Sequence, residues 1–300
     1  MMMNLRTFLF LACVSLFSGS HAQDLSGPLP ADPNTVVGKL PNGITYYIRH
    51  NEEPKDRASF YIIRNAGALL ENDDQNGLAH FLEHMSFNGT KNFPGKGIIS
   101  TLEKYGVTFG GNINAYTAQN ETVYNISAVP TTDVKLLDTC LLILHDWSYY
   151  LTLDGDEIDA ERGVIAEEWR TRRTPQFRLL AQTFPVLFKG SKYAVRDVIG
   201  SLDVIKNFKH QTIRDFYHEW YRTDLEAIAV VGDFDVARME QRIKEIFSSI
   251  PAVENPKPRP FFEIPGHEEI YYCLATDKEV QQSSVNITTI LPGMKAEEKQ

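Results

Sequence analysis

The chain has 300 residues, with 30 lysines and arginines against 39 aspartates and glutamates, for a formal charge of −9. It is 43% hydrophobic and carries 17 Phe and 13 Tyr, enough to build a packed core, which excludes a disordered polymer. The acidic balance, with no basic run beyond Arg170, Arg172 and Arg173, excludes a broad nucleic-acid surface.

Residues 1–22 read as a cleavable secretory signal. Arg6 supplies the positive start, residues 8–17 the apolar stretch, and Ser20-His21-Ala22 the cleavage site before Gln23. That stretch is too short to span a bilayer, so no transmembrane segment is expected. Export, in the first instance to a periplasm, is the expectation. Cys13 after Leu11-Ala12 offers a lipoprotein site, but cleavage there would leave only a stub of the apolar stretch. Cys140 and Cys273 then remain, too few for a disulfide framework. Cys140 sits in the apolar run 136–144 and is expected as a buried thiol.

Residues 23–35 lack periodicity and read as a leader. Residues 45–49 and 58–64 are aromatic and β-branched, as strands are, with a turn at Asn42-Gly43 before the first. Gly77 opens a helix that carries His80 to His84. A second helix is expected over 98–105, closed by Gly106, then strands over 107–112 and 122–127. Apolar periodicity predicts helices over 134–150 and 157–172. A Pro/Phe-rich segment spans 175–188 with no assignment. Beyond it come a helix at 212–220, a short strand at 227–231 and an amphipathic helix at 236–247. Prolines 251, 256, 258 and 260 mark a linker over 251–260. Two strands are expected after it, at 269–275 and 284–290. Residues 23–250 therefore read as one domain, and 261–300 as the start of a second, incomplete one.

His80-Phe81-Leu82-Glu83-His84 concentrates the chemistry. On a helix the two histidines lie one turn apart on the same face as Glu83. Two neutral imidazoles so placed can hold one zinc ion, and a neighbouring carboxylate can take a proton from water. H-x-x-E-H is a zinc-protease signature. A catalytic zinc takes a third protein ligand. Glu161 and Glu168 are two turns apart on one helix and share a face, so one can bind metal and the other can orient a histidine. Glu167, a quarter turn or more away, is the alternative to Glu168. His145-Asp146, on an apolar helix, reads as a core pair rather than a catalytic dyad. Asn88-Gly-Thr and Asn120-Glu-Thr match the glycosylation pattern but are expected to stay unmodified beside the site.

These residues together resemble the pitrilysin/insulysin family of zinc metalloproteases, the inverzincins, which includes the mitochondrial processing peptidases. The resemblance spans most of residues 36–250. It rests on residues 77–90 (GLAHFLEHMSFNGT), Asn114-Ala115-Tyr116-Thr117, Glu121-Thr122-Val123-Tyr124, Glu161-Arg162 with Glu168, Tyr221, and Val230-Val231-Gly232-Asp233. It implies an α+β fold with a mainly antiparallel sheet flanked by helices. It implies that His80, His84 and Glu168 bind Zn2+, that Glu83 is the general base, and that Glu161 supports the site. It implies further that a peptide or unfolded polypeptide adds to an edge strand near 111–117, touching Asn114 and Ala115. A homologous second half, downstream or on another chain, would complete the site. The expected activity is zinc-dependent endopeptidase hydrolysis; the alternative is a non-catalytic peptide-binding or scaffolding homologue that needs the missing half.

Overall fold

The computed structural model of the protein describes residues 32–291, and residues 33–289 form one compact unit. The signal-peptide reading of residues 1–22 lies outside the described residues. Six strands and eight α-helices follow in chain order among the described residues. They are β1 (Thr35–Lys39), β2 (Thr45–His50), β3 (Arg57–Arg64), α1 (Leu78–Met85), α2 (Gly97–Glu103), β4 (Ile113–Thr117), β5 (Thr122–Pro130) and α3 (Val134–Tyr149). Then come α4 (Gly155–Arg172), α5 (Pro175–Leu187), α6 (Leu202–Asn207), α7 (His210–Trp220), β6 (Glu226–Gly232) and α8 (Val236–Phe247).

The strands form one sheet in the order β1-β2-β6-β3-β5-β4. Every pairing is antiparallel except β2 with β6. The fold is the α+β arrangement expected: a mainly antiparallel sheet with flanking helices. Alternation along the central strands explains why it packs. Phe60 and Ile62 of β3 stand opposite Val230 and Ile228 of β6, and all four are fully buried. Helix α3 packs on β3 and β5, and α8 packs on β2 and on α3. The same inner row ends in an ion pair. Arg64 faces Glu226 in the register, 2.8 Å apart and fully buried. The Arg64 guanidinium lies 3.6 Å from the centre of the Tyr221 ring, and Tyr221 shares a 2.7 Å hydrogen bond with Tyr124. Ser86, just past α1, donates to Tyr124 at 3.1 Å, so the network ties the end of α1 to the sheet.

Several expectations need correction. The strand predicted over 107–112 is a turn, and the strand begins at Ile113. Asn112 closes the turn by accepting from the Thr108 amide, and Gly110 takes a positive φ of 77° that interrupts any extended run. Residues 35–39, unassigned apart from the leader reading, form an edge strand against β2. The Pro/Phe-rich segment is helix α5. Thr174 caps it by accepting from Phe177 N, and Pro175 occupies the first turn, where its missing N–H costs nothing.

The strands expected at 269–275 and 284–290 are not formed, and residues 251–291 hold no helix or strand. An alternating apolar segment becomes a strand only with a partner to pair with and a layer to cover it. Neither meets these segments among the described residues, and Tyr272 and Ile287 are 86% and 96% exposed. Cys140 is buried and Cys273 exposed, and both are free thiols.

Candidate metal centre

Helix α1 begins where the chain must turn sharply. Gly77 adopts φ 107°, and a Cβ there would come within 2.9 Å of the Ile199 carbonyl oxygen, so only glycine fits. The first amides of a helix need acceptors. A buried carboxylate supplies them: Glu71 accepts from Gly77 N at 3.0 Å and from Ala79 N at 2.8 Å. Lys192 and Arg196 donate to the Glu71 carbonyl at 2.7 and 3.3 Å, and Arg196 also pairs with Asp73.

Burial pushes the Glu71 carboxyl up to about 8, against the two amides and the charges of Arg196 and Lys192, which pull it down. Folding therefore takes up a proton. The corresponding stability is complete below the ordinary carboxylate value of 4.5 and is lost as pH rises through about 8. Glu71→Gln removes this titration and leaves one helix amide without an acceptor, at a cost of about 1–2 kcal/mol. Urea unfolding at pH 5, 6.5 and 8.5 is expected to show wild type falling toward the variant as pH rises. A wild-type-to-variant gap that stays constant across those pH values would show that Glu71 does not titrate there.

From this fixed start, His80 and His84 project from the same side of α1. His80 is buried at 3% exposure and His84 is half-buried. Helix α4 supplies the facing group by simple periodicity. Ile158, Glu161 and Ile165 are its buried residues, at i, i+3 and i+7, and Glu168 continues the row at i+10. Helix α4 packs on α1. Glu168 Oε2 comes within 3.6 Å of His80 Nε2 and 3.3 Å of His84 Nε2. Ligand atoms of His80, His84 and Glu168 all lie within 4.8 Å of one another. Glu167 turns to solvent instead and pairs with Arg170 at 2.6 Å.

Two further partners orient the cluster. Glu161 Oε1 lies 2.8 Å from His84 Nδ1. Arg172 holds the other oxygen of Glu168, Oε1, at 2.6 Å. Arg162 does not pair with Glu161; it binds Asp159, the Ile205 carbonyl within α6 and the Phe208 carbonyl just past it. His80 Nδ1 is buried and meets no hydrogen-bond partner among the described residues, so no bond at Nδ1 orients that ring.

The donor set fits a zinc ion. Two imidazoles and a carboxylate are common zinc ligands, and an ion bound tetrahedrally at ~2.0–2.1 Å sets its ligand atoms about 3.3 Å apart. The separations of 3.3 and 3.6 Å match that spacing. Electrostatics without the ion favour binding at Glu168 and His80. His84, pressed down by burial but drawn up more strongly by hydrogen bonds to Glu161 and Glu168, rises to about 9 and so carries a proton that a metal would displace. Hydrogen bonding with His84 draws the Glu168 carboxyl down to about 2, so it is ionised and ready to bind a cation. Burial, and then the neighbouring His84, press His80 down to about 4, so this ring is neutral at pH 7.

Glu83 sits beside the cluster but not in it. Burial raises its pKa, and Thr117 Oγ1 donates to its Oε2 at 2.6 Å. Thr117 ends β4, which is an edge of the sheet and packs on α1. Asn114 and Ala115 lie on β4, paired with Asn125 and Tyr124 of β5 and with nothing on the outer side among the described strands. By the strand's alternation, Ala115 shares the Thr117 side and Asn114 takes the other. His145 and Asp146 are both buried. Asp146 accepts from Thr90 Oγ1, Asn92 N and Asn92 Nδ2, each at 2.8 Å, and so pins the loop after α1.

Sequence reasoning missed Glu71 and the partner of Glu83. A carboxylate six residues before a glycine that opens a helix was the available signal for Glu71. Thr117 lies two places beyond Ala115, on the same face of the strand, and was quoted without a role.

The comparison with known families bears on all of this. Residues 46–183 match the model of the insulinase domain of peptidase family M16, and residues 207–300 match that of the M16 inactive domain. The chain belongs to peptidase family M16. Among M16 relatives, it is 39% identical over 252 residues to a probable zinc protease PqqL of Haemophilus influenzae, covering 83% of this chain and 27% of that protein. It is 34% identical over 299 residues to the probable zinc protease PqqL of Escherichia coli, covering 100% of this chain and 32% of that one. The crystal structure of the first half of the periplasmic protease PqqL from Escherichia coli superposes with a TM-score of 0.75 at 37% identity, over 81% of this chain and 51% of that one. The chain thus spans about a third of the length of the curated M16 relatives it matches.

Proposed function

We propose that the protein is a zinc-dependent endopeptidase that hydrolyses peptides or unstructured polypeptides. The observation that carries this reading is the convergence of His80, His84 and Glu168 with Glu83 alongside, on two helices next to an open sheet edge. His80 and His84 would hold the ion through Nε2, and Glu168 through Oε2. Zinc, when bound, supplies a Lewis acid that polarises the scissile carbonyl and makes water acidic enough to attack near neutral pH.

The chain's own residues do the rest. Glu83 takes the proton of the attacking water and later delivers it to the leaving amine nitrogen. Thr117 fixes Oε2 of that carboxylate, so the other oxygen handles the proton. Burial of Glu83 raises its pKa toward the working range of a group that both accepts and returns a proton. The substrate backbone pairs with β4 along Asn114 and Ala115. Main-chain hydrogen bonds then give affinity with loose sequence preference.

Within this reading, residues 23–250 are the catalytic domain, 251–260 a linker, and 261–300 the start of a homologous second domain that helps enclose the substrate. The site of action is periplasmic, after removal of residues 1–22. Among the described residues no helix is long and apolar enough to cross a membrane. The test is cleavage of an unstructured fluorogenic peptide. Hydrolysis is expected, with loss on adding a chelator and recovery on returning zinc. Cleavage that ignores the chelator would refute the metal mechanism, and peptide binding without cleavage would favour a scaffolding role.

A further inference from the structure

We propose that Asn88, backed by Lys96, is a positioning residue of the metal centre that acts through Glu161 on His84; this rests on the metal-binding reading above. Asn88 lies just past α1, where its amide still bonds to the Met85 carbonyl at 3.0 Å, and it is 3% exposed. Both ends of its side chain are committed. Nδ2 donates to Glu161 Oε2 at 2.6 Å, and Oδ1 accepts from Lys96 Nζ. The orientation of the amide follows from its neighbours. A carboxylate needs a donor and an ammonium needs an acceptor, so the flipped rotamer would lose both bonds.

Glu161 is thereby gripped from two sides. Oε1 faces His84 Nδ1 at 2.8 Å, and Oε2 is held by Asn88. A carboxylate on Nδ1–H sets the tautomer that leaves Nε2 free for a metal. With only one oxygen tethered, Glu161 could swing about that single bond and release the ring. The relay also carries charge. When His84 is neutral, as a metal ligand must be, Glu161 is a mostly buried anion facing an uncharged ring. Lys96 supplies the nearest compensating cation, one amide away. Nothing in the residue pattern points to this role: Asn88 stands out there only within the 77–90 motif and as a glycosylation match.

The test is the zinc affinity of the full chain, measured by competition with a chromogenic chelator, for wild type, Asn88→Leu, Glu161→Gln and the double variant. Asn88→Leu is expected to weaken zinc binding about tenfold, in the range for loss of an outer partner of a ligand. In the Glu161→Gln background the same change should have almost no effect, because residues acting through one another are not additive. Wild-type affinity in Asn88→Leu, or an undiminished loss in the double variant, overturns the proposal. Lys96 is exposed, so Lys96→Met remains measurable even where Asn88→Leu does not fold. It should weaken zinc about threefold at low salt and less at high salt. An unchanged affinity there also overturns the proposal. Failure of wild type itself to bind zinc would instead sink the metal-binding reading.

Discussion

Glu83→Gln is expected to keep zinc at wild-type stoichiometry while lowering kcat about a thousandfold, within the range for loss of a general acid–base. The substitution is nearly isosteric, and Glu83 is not among the groups that converge on the ion site. The Gln carbonyl oxygen can still accept from Thr117 Oγ1, so the local geometry has no reason to change. What is lost is the ability to take a proton from water and return it to the leaving nitrogen. KM should move little, because in the proposed binding mode the substrate strand would pair with β4 rather than with this side chain. Steady-state kinetics with a peptide, paired with a metal analysis of the same sample, decide the matter. A variant that retains a tenth or more of the wild-type rate would remove Glu83 from the mechanism.

His84→Ala is expected to be more damaging to the protein as a whole. Zinc affinity should fall by more than about a hundredfold, since even partners behind a ligand cost 10–100-fold. The second consequence concerns Glu161. Its oxygen 2.8 Å from His84 Nδ1 would lose that partner while remaining mostly buried. That adds about 1–3 kcal/mol of destabilisation to the metal-free fold. A thermal melt with and without zinc reads both effects. Zinc at a hundred times Kd should stabilise wild type by about 2.7 kcal/mol and the variant by essentially nothing. An equal rise in melting temperature for both proteins would show that His84 is not a ligand.

The parts of this fold that sequence alone revealed are those where periodicity and chemistry coincide. Residues 80–84 carry metal-binding types at helical spacing, and α4 continues its buried row 158, 161, 165 out to Glu168. Alternation marked β3 and β5, and a long apolar run marked α3. Failures came where a specific side-chain contact or a missing partner overrides the periodic pattern. Residues 107–112 alternate like a strand, yet Asn112 turns its side chain back onto the Thr108 amide and delays the strand to Ile113. Residues 175–188 drew no assignment, yet they form a helix that Pro175 can begin because no donor is needed there. The exposed alternation at 270, 272 and 274 shows that a pattern without a partner strand does not become a strand. Asn88 and Glu71 were silent for the same reason. Their roles rest on groups 73 residues away in one case and on the geometry of a helix start in the other.

The position of β4 at the rim of the sheet has a consequence for which molecules the proposed peptidase would accept. To line up beside β4, an incoming chain must offer several consecutive amides and carbonyls that are not already bonded to one another. A tightly folded protein keeps these groups engaged in its own helices and sheets. Selection would then operate on conformation before composition: nascent, damaged or loosely folded chains would be cut, and well-packed neighbours in the same compartment would be spared until they open.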